Sequence, residues 1–276
     1  MTDLEPIGAT VVADPVADRR PSTSAGVKAT LAVLDLLAAR SPLSLSEISR
    51  ELGIAKSTLH RICAVLVERG WVVRDRDGRF DLGVRALRLG SASSELPMVT
   101  AFRTVAAEFL TRHDETIALA VLDGGESLFI ALEETSQPVR LVTHVGSTTP
   151  AFASASGRVV LASHSAAAVS AMFGGKLLVT PTGRRLNGVA ELHSILAEVR
   201  ERGYAENLEE TAEGLYTASV PVVNDEGMTL AALTTCIPVS RITPERRAVI
   251  VDDLQTLGRE LSELARWLPS FSSRHP

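Results

Sequence analysis

The spacing of capping and breaking residues over positions 42–70 constrains this chain more than any other feature, because it leaves room for two short helices and little between them. Ser44 and Glu47 have the separation of a capping box, in which each side chain accepts a hydrogen bond from the other residue's backbone N–H. Gly53 supplies the left-handed position that ends a helix. The next apolar period begins only a few residues later, so the pattern predicts a helix-turn-helix.

The apolar residues on both sides of this turn recur at helical spacing. In the helix after the turn they fall at i, i+3, i+4 and i+7, which places them on one face. A further helix precedes the pair, and Pro42 ends it. The residues predicted to be buried are Val27, Leu31, Leu34 and Ala38 in a first helix over 25–40, Leu45, Ile48 and Leu52 in the second, and Leu59, Ile62, Cys63 and Leu66 in the third.

After Gly70 the apolar period changes from helical to alternating. The sequence Asp77-Gly78 lies between two short runs, 71–74 and 79–82. A turn of this composition between two such runs is a strong signal for a β-hairpin. Three helices followed by a hairpin predict a winged helix-turn-helix over residues 24–84.

Beyond a linker at 85–96, hairpins predominate over strand–helix–strand units, which predicts an α+β domain over 97–268. Because a hairpin joins antiparallel strands, its sheet is expected to be largely antiparallel. The first 23 residues and residues 269–276 are expected to be tails, the first of them disordered because it lacks any apolar period. The predicted strands are 117–122, 127–132, 139–145, 216–223 and 228–237, and the predicted helices begin at Pro97 and cover 157–163, 189–202 and 243–267.

Composition limits the class of protein. The apolar runs are too short to span a membrane, and no signal peptide opens the chain, so a cytoplasmic protein without membrane association is expected. Two cysteines, Cys63 and Cys236, cannot form a disulfide framework or a Cys-rich metal site. The net charge of −5 conceals a basic segment at 24–90, with eleven Lys and Arg against seven Asp and Glu. Such an asymmetry is typical of a module that faces nucleic acid.

The third predicted helix has the residue types that read double-stranded DNA. In a helix-turn-helix, the N-terminal residues of the second helix meet base edges in the major groove. Arginine can bond guanine, serine and threonine can bond bases or phosphates, and lysine neutralises phosphate. On spacing alone, a small helical domain with a solvated polar face stays open as an alternative. The candidate contacts are Lys56, Ser57, Thr58, His60 and Arg61 on the helix and Arg74, Arg76 and Arg79 on the hairpin.

In the C-terminal half, residues 153–157 lie immediately before a predicted helix. Free N–H groups and the positive end of the helix dipole attract a carboxylate. Residues 135–190 contain no Asp or Glu that would repel one. Ordinary N-capping by serine is the competing interpretation of this segment.

An enzyme of α+β fold without a role on DNA is the alternative from another class. The sequence contains no G-x-S-x-G, H-E-x-x-H, Walker or G-x-G-x-x-G motif, so neither a cofactor nor a metal is expected. The run 113–115, His-Asp-Glu, could form a metal or acid–base cluster. Consecutive residues at a helix end point in different directions, so a solvated surface is expected there instead. Glu209 and Glu210 could pair as acid and base, but Glu210 is expected to cap backbone N–H groups near Gly214.

Many short segments, in order and spacing, resemble the IclR family of bacterial transcription regulators. The resemblance covers about residues 24–268. It implies a winged helix-turn-helix joined by a linker helix to a C-terminal GAF/profilin-like domain, and hence a DNA-binding regulator that responds to a small molecule. The segments are Ser44–Ile48, Lys56–Arg61, Gly70–Val72, Phe80–Gly83, Val145-Gly146, Pro150, Ala155–Arg158, Leu161-Ala162, Gly203–Ala205, Glu209-Glu210, Gly214, Ala218–Pro221 and Ser240–Thr243.

The resemblance also implies partners and a second set of contacts. Similar regulators bind palindromic operators as dimers or dimers of dimers, with the first helix, near 27–37, helping to pair the DNA-binding domains. Repressor is the commoner role, although activators resemble this chain equally. The effector of such proteins is a small metabolite, often a carboxylate or aromatic acid. The implied effector contacts are Leu141, Thr149, Ala155, Ser156, Asn207, Leu215, Thr217, Thr234 and Cys236.

Three positions qualify what the resemblance implies about the effector. Arg158 keeps the basic residue that relatives carry. Asn207 stands where some relatives have an acid, and an amide can donate as well as accept, so the effector's identity does not transfer. Cys236 is expected to be a small packing residue rather than a reactive thiol.

Overall fold

The computed structural model describes residues 23–93 and 96–267. The predicted tails therefore lie outside the described residues, except for Thr23, which begins the first helix. The chain divides into two compact units between Ser91 and Ala92, within the predicted linker. No helix in the described ranges is long and apolar enough to cross a membrane.

The first unit is a helix-turn-helix with a two-stranded wing. The capping box forms as predicted: the Ser44 N–H donates to the Glu47 carboxylate at 2.7 Å, and the Glu47 N–H donates to the Ser44 hydroxyl at 3.3 Å. Gly53 ends the helix in the left-handed region, with φ of 65°. The elements are α1 (Thr23–Arg40), α2 (Leu45–Leu52), α3 (Lys56–Glu68), β1 (Val72–Arg74), β2 (Phe80–Leu82) and α4 (Val84–Ser93).

The predicted buried face of α1 is mostly wrong, because only Leu34 of its four residues packs against the core, where it is half-buried. Val33 and Leu37 are fully buried against the rest of the unit, whereas Val27 and Leu31 are 55% and 54% exposed. Ala38 is exposed as well. Because apolar residues occupy more than one side of this helix, their spacing could not show which side meets the core.

The second unit is built on a six-stranded antiparallel sheet with the strand order β5-β4-β3-β8-β7-β6. Every neighbouring pair is antiparallel, as the hairpin signals predicted. The elements are α5 (Pro97–His113), β3 (Thr116–Asp123), β4 (Glu126–Glu133), β5 (Thr148–Pro150), α6 (Ala155–Ala162), α7 (Ala166–Phe173), α8 (Val189–Arg202), β6 (Ala205–Leu208), β7 (Leu215–Val223), β8 (Thr229–Pro238) and α9 (Pro244–Ala265).

Helices cover both faces of the sheet, in the arrangement of a GAF/profilin-like domain. One core lies between the sheet and the pair α5 and α9, and the other lies between the sheet and α6, α7 and α8. Side chains alternate between the two faces along each strand. On β7, Tyr216 and Ala218 pack in the core of α5 and α9, which leaves Thr217 and Ser219 on the opposite face.

The predicted strand at 139–145 is wrong, and α7, β5 and β6 were not predicted. The chain from 138 to 147 is irregular, and β5 is limited to three residues. The alternation of Val139, Leu141, Thr143 and Val145 imitates a strand. The backbone joins the edge of β4 only at Gly146, whose N–H donates to the Phe129 carbonyl, and β5 continues the pairing from there. The helix α7 and the edge strand β6 are too short to show a clear period in the sequence.

Candidate functional site

The solvent face of α3 carries most of the predicted DNA contacts. Leu59, Cys63 and Leu66 are buried, and Ile62 is half-buried. Lys56, Ser57, His60 and Arg61 are exposed, while Thr58 is half-buried. The exposed side chains therefore form a polar and basic surface along the first two turns of the helix, which suits contact with base edges and phosphates. None of them is required by the hydrophobic core.

The wing is a tight hairpin whose arginines differ in their surroundings. The Asp75 carboxylate accepts hydrogen bonds from the N–H groups of Asp77 and Arg79, at 2.9 and 2.8 Å, and fixes the turn. Arg74 and Arg76 are exposed at this turn. Arg79 is instead half-buried and lies against the helix-turn-helix.

Arg79 ties the wing to the start of α2. Its guanidinium donates to the Pro42 carbonyl at 2.8 Å and lies 3.5 Å from the Glu47 carboxylate. Hydrogen bonds from Ser44 lower the pKa of the Glu47 carboxyl, and the positive charge of Arg79 lowers it further. Arg79 thus stabilises the contact between the wing and the start of α2 within this unit.

A cavity of about 140 Å³ lies in the second unit, between the start of α6 and the strands β4, β5, β7 and β8. Two irregular segments, around 141–148 and 211–212, complete its wall. Eight of the nine predicted effector contacts line it, and only Asn207 does not. The lining residues are Phe129, Leu141, Val142, Thr143, Ser147, Thr148, Thr149, Ser154, Ala155, Ser156, Thr211, Ala212, Leu215, Thr217, Thr234 and Cys236.

The start of α6 forms one end of this cavity. Ser154 caps the helix, since its hydroxyl accepts from the Gly157 N–H at 3.1 Å, so the serine-cap interpretation holds for this residue. The N–H groups of Ala155 and Ser156 precede the first intrahelical bonds and have no acceptor within the helix. An added Cβ on Gly157 would lie 2.3 Å from the backbone of Ala151, so only glycine permits this approach.

Two hydroxyl groups in the cavity have no hydrogen-bond partner. The Oγ1 atoms of Thr149 and Thr217 are buried and unpaired, and both residues line the cavity. Thr217 is only 8% exposed. By contrast, the Thr234 hydroxyl donates to the Ala218 carbonyl at 3.1 Å, and the Ser156 hydroxyl bonds that of Ser127 at 2.8 Å. A buried hydroxyl without a partner costs roughly 1–3 kcal/mol, which a bound ligand can recover.

The side chains that line the cavity carry dipoles rather than charges. None of its lining residues, all of them in the described part of the chain, is Lys, Arg, His, Asp or Glu. Phe129, Leu141 and Leu215 supply apolar surface on the same walls. Burial raises the pKa of the Cys236 thiol to about 12, so the thiol stays protonated, which agrees with the predicted packing role. The site therefore suits a small molecule with a few polar groups on an apolar body.

Asn207, also predicted as an effector contact, does not line this cavity. Its amide nitrogen donates to the Ala153 carbonyl, and its amide oxygen accepts from the Glu210 N–H at 3.0 Å. Both ends of the side chain are thus bound to backbone. Asn207 joins the segment before α6 to the segment after β6, and both segments wall the cavity.

The two neighbouring glutamates do not pair as acid and base. Glu209, rather than the predicted Glu210, accepts from the Gly214 N–H at 2.7 Å. The Glu210 carboxylate binds two guanidinium groups, those of Arg158 at 2.5 Å and Arg184 at 2.7 Å. Arg158 is almost fully buried, and its Nε also donates to the Phe152 carbonyl at 2.9 Å.

The run at 113–115 is structural rather than a solvated surface, which corrects its prediction. Its side chains do point in different directions. Glu115 is 1% exposed and binds the guanidinium groups of Arg241 and Arg246. Hydrogen bonds from Ser136, first from its backbone N–H and then from its hydroxyl, lower the pKa of Asp114 to about 2. Among the described residues, no group of three or more His, Cys, Asp or Glu could hold a metal ion.

Two family models match the two units of the chain. The one described as the IclR helix-turn-helix domain matches residues 27–76, and the one described as the bacterial transcriptional regulator IclR C-terminal domain matches residues 90–263. The chain is also similar to the HTH-type transcriptional regulator XynR of Escherichia coli strain K12, with 30% identity over 86% of this chain and 95% of that protein. These matches are transcription regulators rather than enzymes.

Solved structures agree with the family models. A crystal structure of an IclR transcriptional regulator from Silicibacter sp. TM1040 matches with a TM-score of 0.78 and 26% identity, over 90% of this chain and all of that one. A crystal structure of an IclR homolog from Microbacterium hydrocarbonoxydans, complexed with 4-hydroxybenzoate, matches with a TM-score of 0.68 and 25% identity. That match covers 86% of this chain and 99% of the other.

Proposed function

Since the chain belongs to the IclR family of bacterial transcription regulators, we propose that its first unit reads a palindromic operator through α3 and that a small organic acid, bound in the cavity of the second unit, controls this binding. The observation that carries the effector proposal is the unpaired Thr217 hydroxyl, buried in the same cavity as the start of α6. A protein that acts on a chromosomal operator works in the cytoplasm.

The proposed effector is a monocarboxylate with an apolar body. Its carboxylate accepts hydrogen bonds from the N–H groups of Ala155 and Ser156, where the helix dipole favours an anion. The hydroxyls of Thr149 and Thr217 bind its remaining polar groups, and Phe129 and Leu215 contact its apolar part. The homolog bound to 4-hydroxybenzoate supports this class of molecule, because that ligand has a carboxylate, a ring and a hydroxyl.

The proposed DNA contacts are the exposed residues of α3 and the wing. Ser57, His60 and Arg61 are placed to meet base edges, and Lys56 with Arg74 and Arg76 to meet phosphates. Arg79 is also proposed to contact a phosphate, besides donating its hydrogen bond to the Pro42 carbonyl. The repressor role is proposed, with an activator as the alternative within the family, and a reporter gene placed behind the operator distinguishes the two.

The proposed assembly is a dimer, or a dimer of dimers, that pairs its DNA-binding units through α1. An apolar groove of about 800 Å³ runs between α1 and α3, and the exposed Val27, Leu31 and Val65 line it. A two-fold partner doubles the base contacts of one winged helix and matches a palindromic site. Light scattering is expected to give at least a dimer, and Leu31→Glu to weaken pairing and operator binding together. A 29.4 kDa monomer that does not assemble on its operator would contradict this assembly.

The effector proposal is tested by adding a carboxylate to the cavity. Ser156→Asp is expected to repel an anionic effector, while operator binding in its absence survives. Ser165→Asp is the control for a carboxylate added near a helix start outside the cavity, because the exposed Ser165 caps α7 and aspartate caps a helix equally well. The measurement is operator release against effector concentration, for a panel of aliphatic and aromatic monocarboxylates that includes 4-hydroxybenzoate. If Ser156→Asp responds to the effector as the wild type does, the ligand binds elsewhere. If the variant loses operator binding even without effector, Ser156 has a structural role.

A further inference from the structure

A chain of ion pairs lies directly behind the cavity wall. The Glu210 carboxylate binds Arg158 of α6 and Arg184 of the turn before α8, and Arg184 continues to Glu191 at 3.1 Å. The side chains of Arg158 and Glu210 are only 5% and 13% exposed. A charge pair with so little access to water is held in one geometry by its hydrogen bonds.

Glu210 sits at the start of a short loop that forms part of the wall. The next two residues, Thr211 and Ala212, line the cavity. The backbone of Glu210 is also fixed on both sides, since its N–H donates to Asn207 at 3.0 Å and its carbonyl accepts from the Thr182 hydroxyl at 3.0 Å. The position of Glu210 therefore sets the position of this wall.

Arg158 connects the same carboxylate to a second part of the wall, the start of α6. It belongs to α6, whose first residues, Ala155 and Ser156, form the end of the cavity. The bond between Glu210 and Arg158 thus fixes the separation of the two walls, although neither residue lines the cavity.

We propose that Glu210 is a positioning residue of the cavity: it holds the wall at 211–212 closed against α6 and so sets the affinity for a ligand that it never touches. The proposal deepens the proposed function, on which it rests, because the closed cavity is the one that binds the effector. Loss of the Glu210 carboxylate frees the loop from both arginines at once. The cavity then opens more often, without any change in the residues that line it.

Cys236 reports this opening without any effector. Its thiol lies in the cavity, is almost fully buried, and carries a raised pKa, so it reacts only when the cavity opens. The experiment treats the full-length protein with methyl methanethiosulfonate, a small thiol reagent, and follows modification of the Cys236 peptide by mass spectrometry. Glu210→Ala is expected to accelerate modification about tenfold or more, because local opening governs the reactivity of a buried group. Glu210→Gln, which can still accept one hydrogen bond, is expected to give a smaller acceleration and replaces the alanine variant if that variant does not fold.

Glu206→Ala is the matched control. The Glu206 side chain is 11% exposed and binds Arg247 and the Tyr216 hydroxyl, and Tyr216 packs in the core on the other face of the sheet. This variant loses an ion pair of similar burial and is expected to lower the Tm without releasing the cavity wall. Modification of Cys236 is expected to stay within about twofold of the wild type. If the Glu210 variants label Cys236 no faster than Glu206→Ala, the proposal is overturned. Since the labelling needs neither ligand nor operator, this outcome would leave the proposed function untouched.

Discussion

Thr217→Val is expected to stabilise the free protein and to weaken effector binding. The Thr217 hydroxyl is buried without a partner, and such a group costs roughly 1–3 kcal/mol. Valine has nearly the same shape, so the substitution removes the hydroxyl without opening a void. A gain of about 1 kcal/mol raises the Tm of a unit of this size by roughly 2–4 °C.

The same hydroxyl is proposed to bond the effector, so its removal acts on affinity in the opposite direction. Its proposed partner is a neutral polar group, since the carboxylate binds at the start of α6. A neutral hydrogen bond contributes roughly 0.5–1.5 kcal/mol, and each 1.4 kcal/mol is about a factor of ten in Kd. The variant is therefore expected to bind the effector roughly two- to tenfold more weakly. Titration calorimetry measures this Kd, and differential scanning calorimetry of the free protein measures Tm.

Thr235→Val is the control for this prediction. Thr235 neighbours the cavity residues Thr234 and Cys236 on β8, does not line the cavity, and donates to the Thr116 carbonyl at 2.8 Å. Its replacement loses a satisfied hydrogen bond, so Tm is expected to fall while the effector Kd stays constant. A Thr217→Val variant that loses stability and keeps its affinity would refute the reasoning, because its hydroxyl would then have a partner within the fold.

Three further predictions, with four substitutions, test other parts of the chain. Arg61→Ala and Ser57→Ala are each expected to weaken operator binding by about 1–3 kcal/mol in gel-shift titrations at fixed salt, and unchanged affinity in both would show that α3 is not the reading helix. Gly157→Ala is expected to lower the Tm of the second unit, because the added Cβ would lie 2.3 Å from the backbone of Ala151. Such overpacking costs about 1–3 kcal/mol or more, and scanning calorimetry measures the fall in Tm. The pKa of Asp114 falls from its ordinary 3.8 to about 2 on folding, so its stabilisation is complete above about pH 4 and is lost as pH falls through 2. In Asp114→Asn, the free energy of unfolding is expected to depend less steeply on pH between about pH 4 and 2. An unchanged pH dependence would show that other carboxyl groups cause it.

The sequence carried enough information to predict the first unit almost entirely, because its signals are local. The capping box at Ser44, the left-handed Gly53 and the Asp77-Gly78 turn each act over a few residues. The buried side of α1 was not predictable in this way, because Val27 and Val33 are equally apolar and only the packing of α2 and β2 decides between them. The prediction of a strand at 139–145 was wrong for a similar reason. Alternating apolar residues indicate which side chains share a face, but they do not show whether the backbone has a partner strand to pair with.

The sequence predicted most of the positions that line the cavity, but not which of their polar groups lack a hydrogen-bond partner. Thr149, Thr217 and Thr234 are all threonines on strands, and only the structure separates two unpaired hydroxyls from a satisfied one. The sequence also does not show that both ends of the Asn207 amide bind backbone. Glu115 looked like a surface acid because its partners, Arg241 and Arg246, lie more than a hundred residues away in sequence.

The neutral lining of the cavity has a consequence for how such a sensor changes over evolutionary time. The ion pairs that hold its walls, including that of Glu210 with Arg158, lie outside the lining, and the lining itself consists of hydroxyls, a thiol and apolar side chains. We expect an exchange such as threonine to valine or serine to alanine there to alter which molecule the proposed site recognises and to leave every ion pair intact. New specificities would then arise on a scaffold that does not need to be rebuilt.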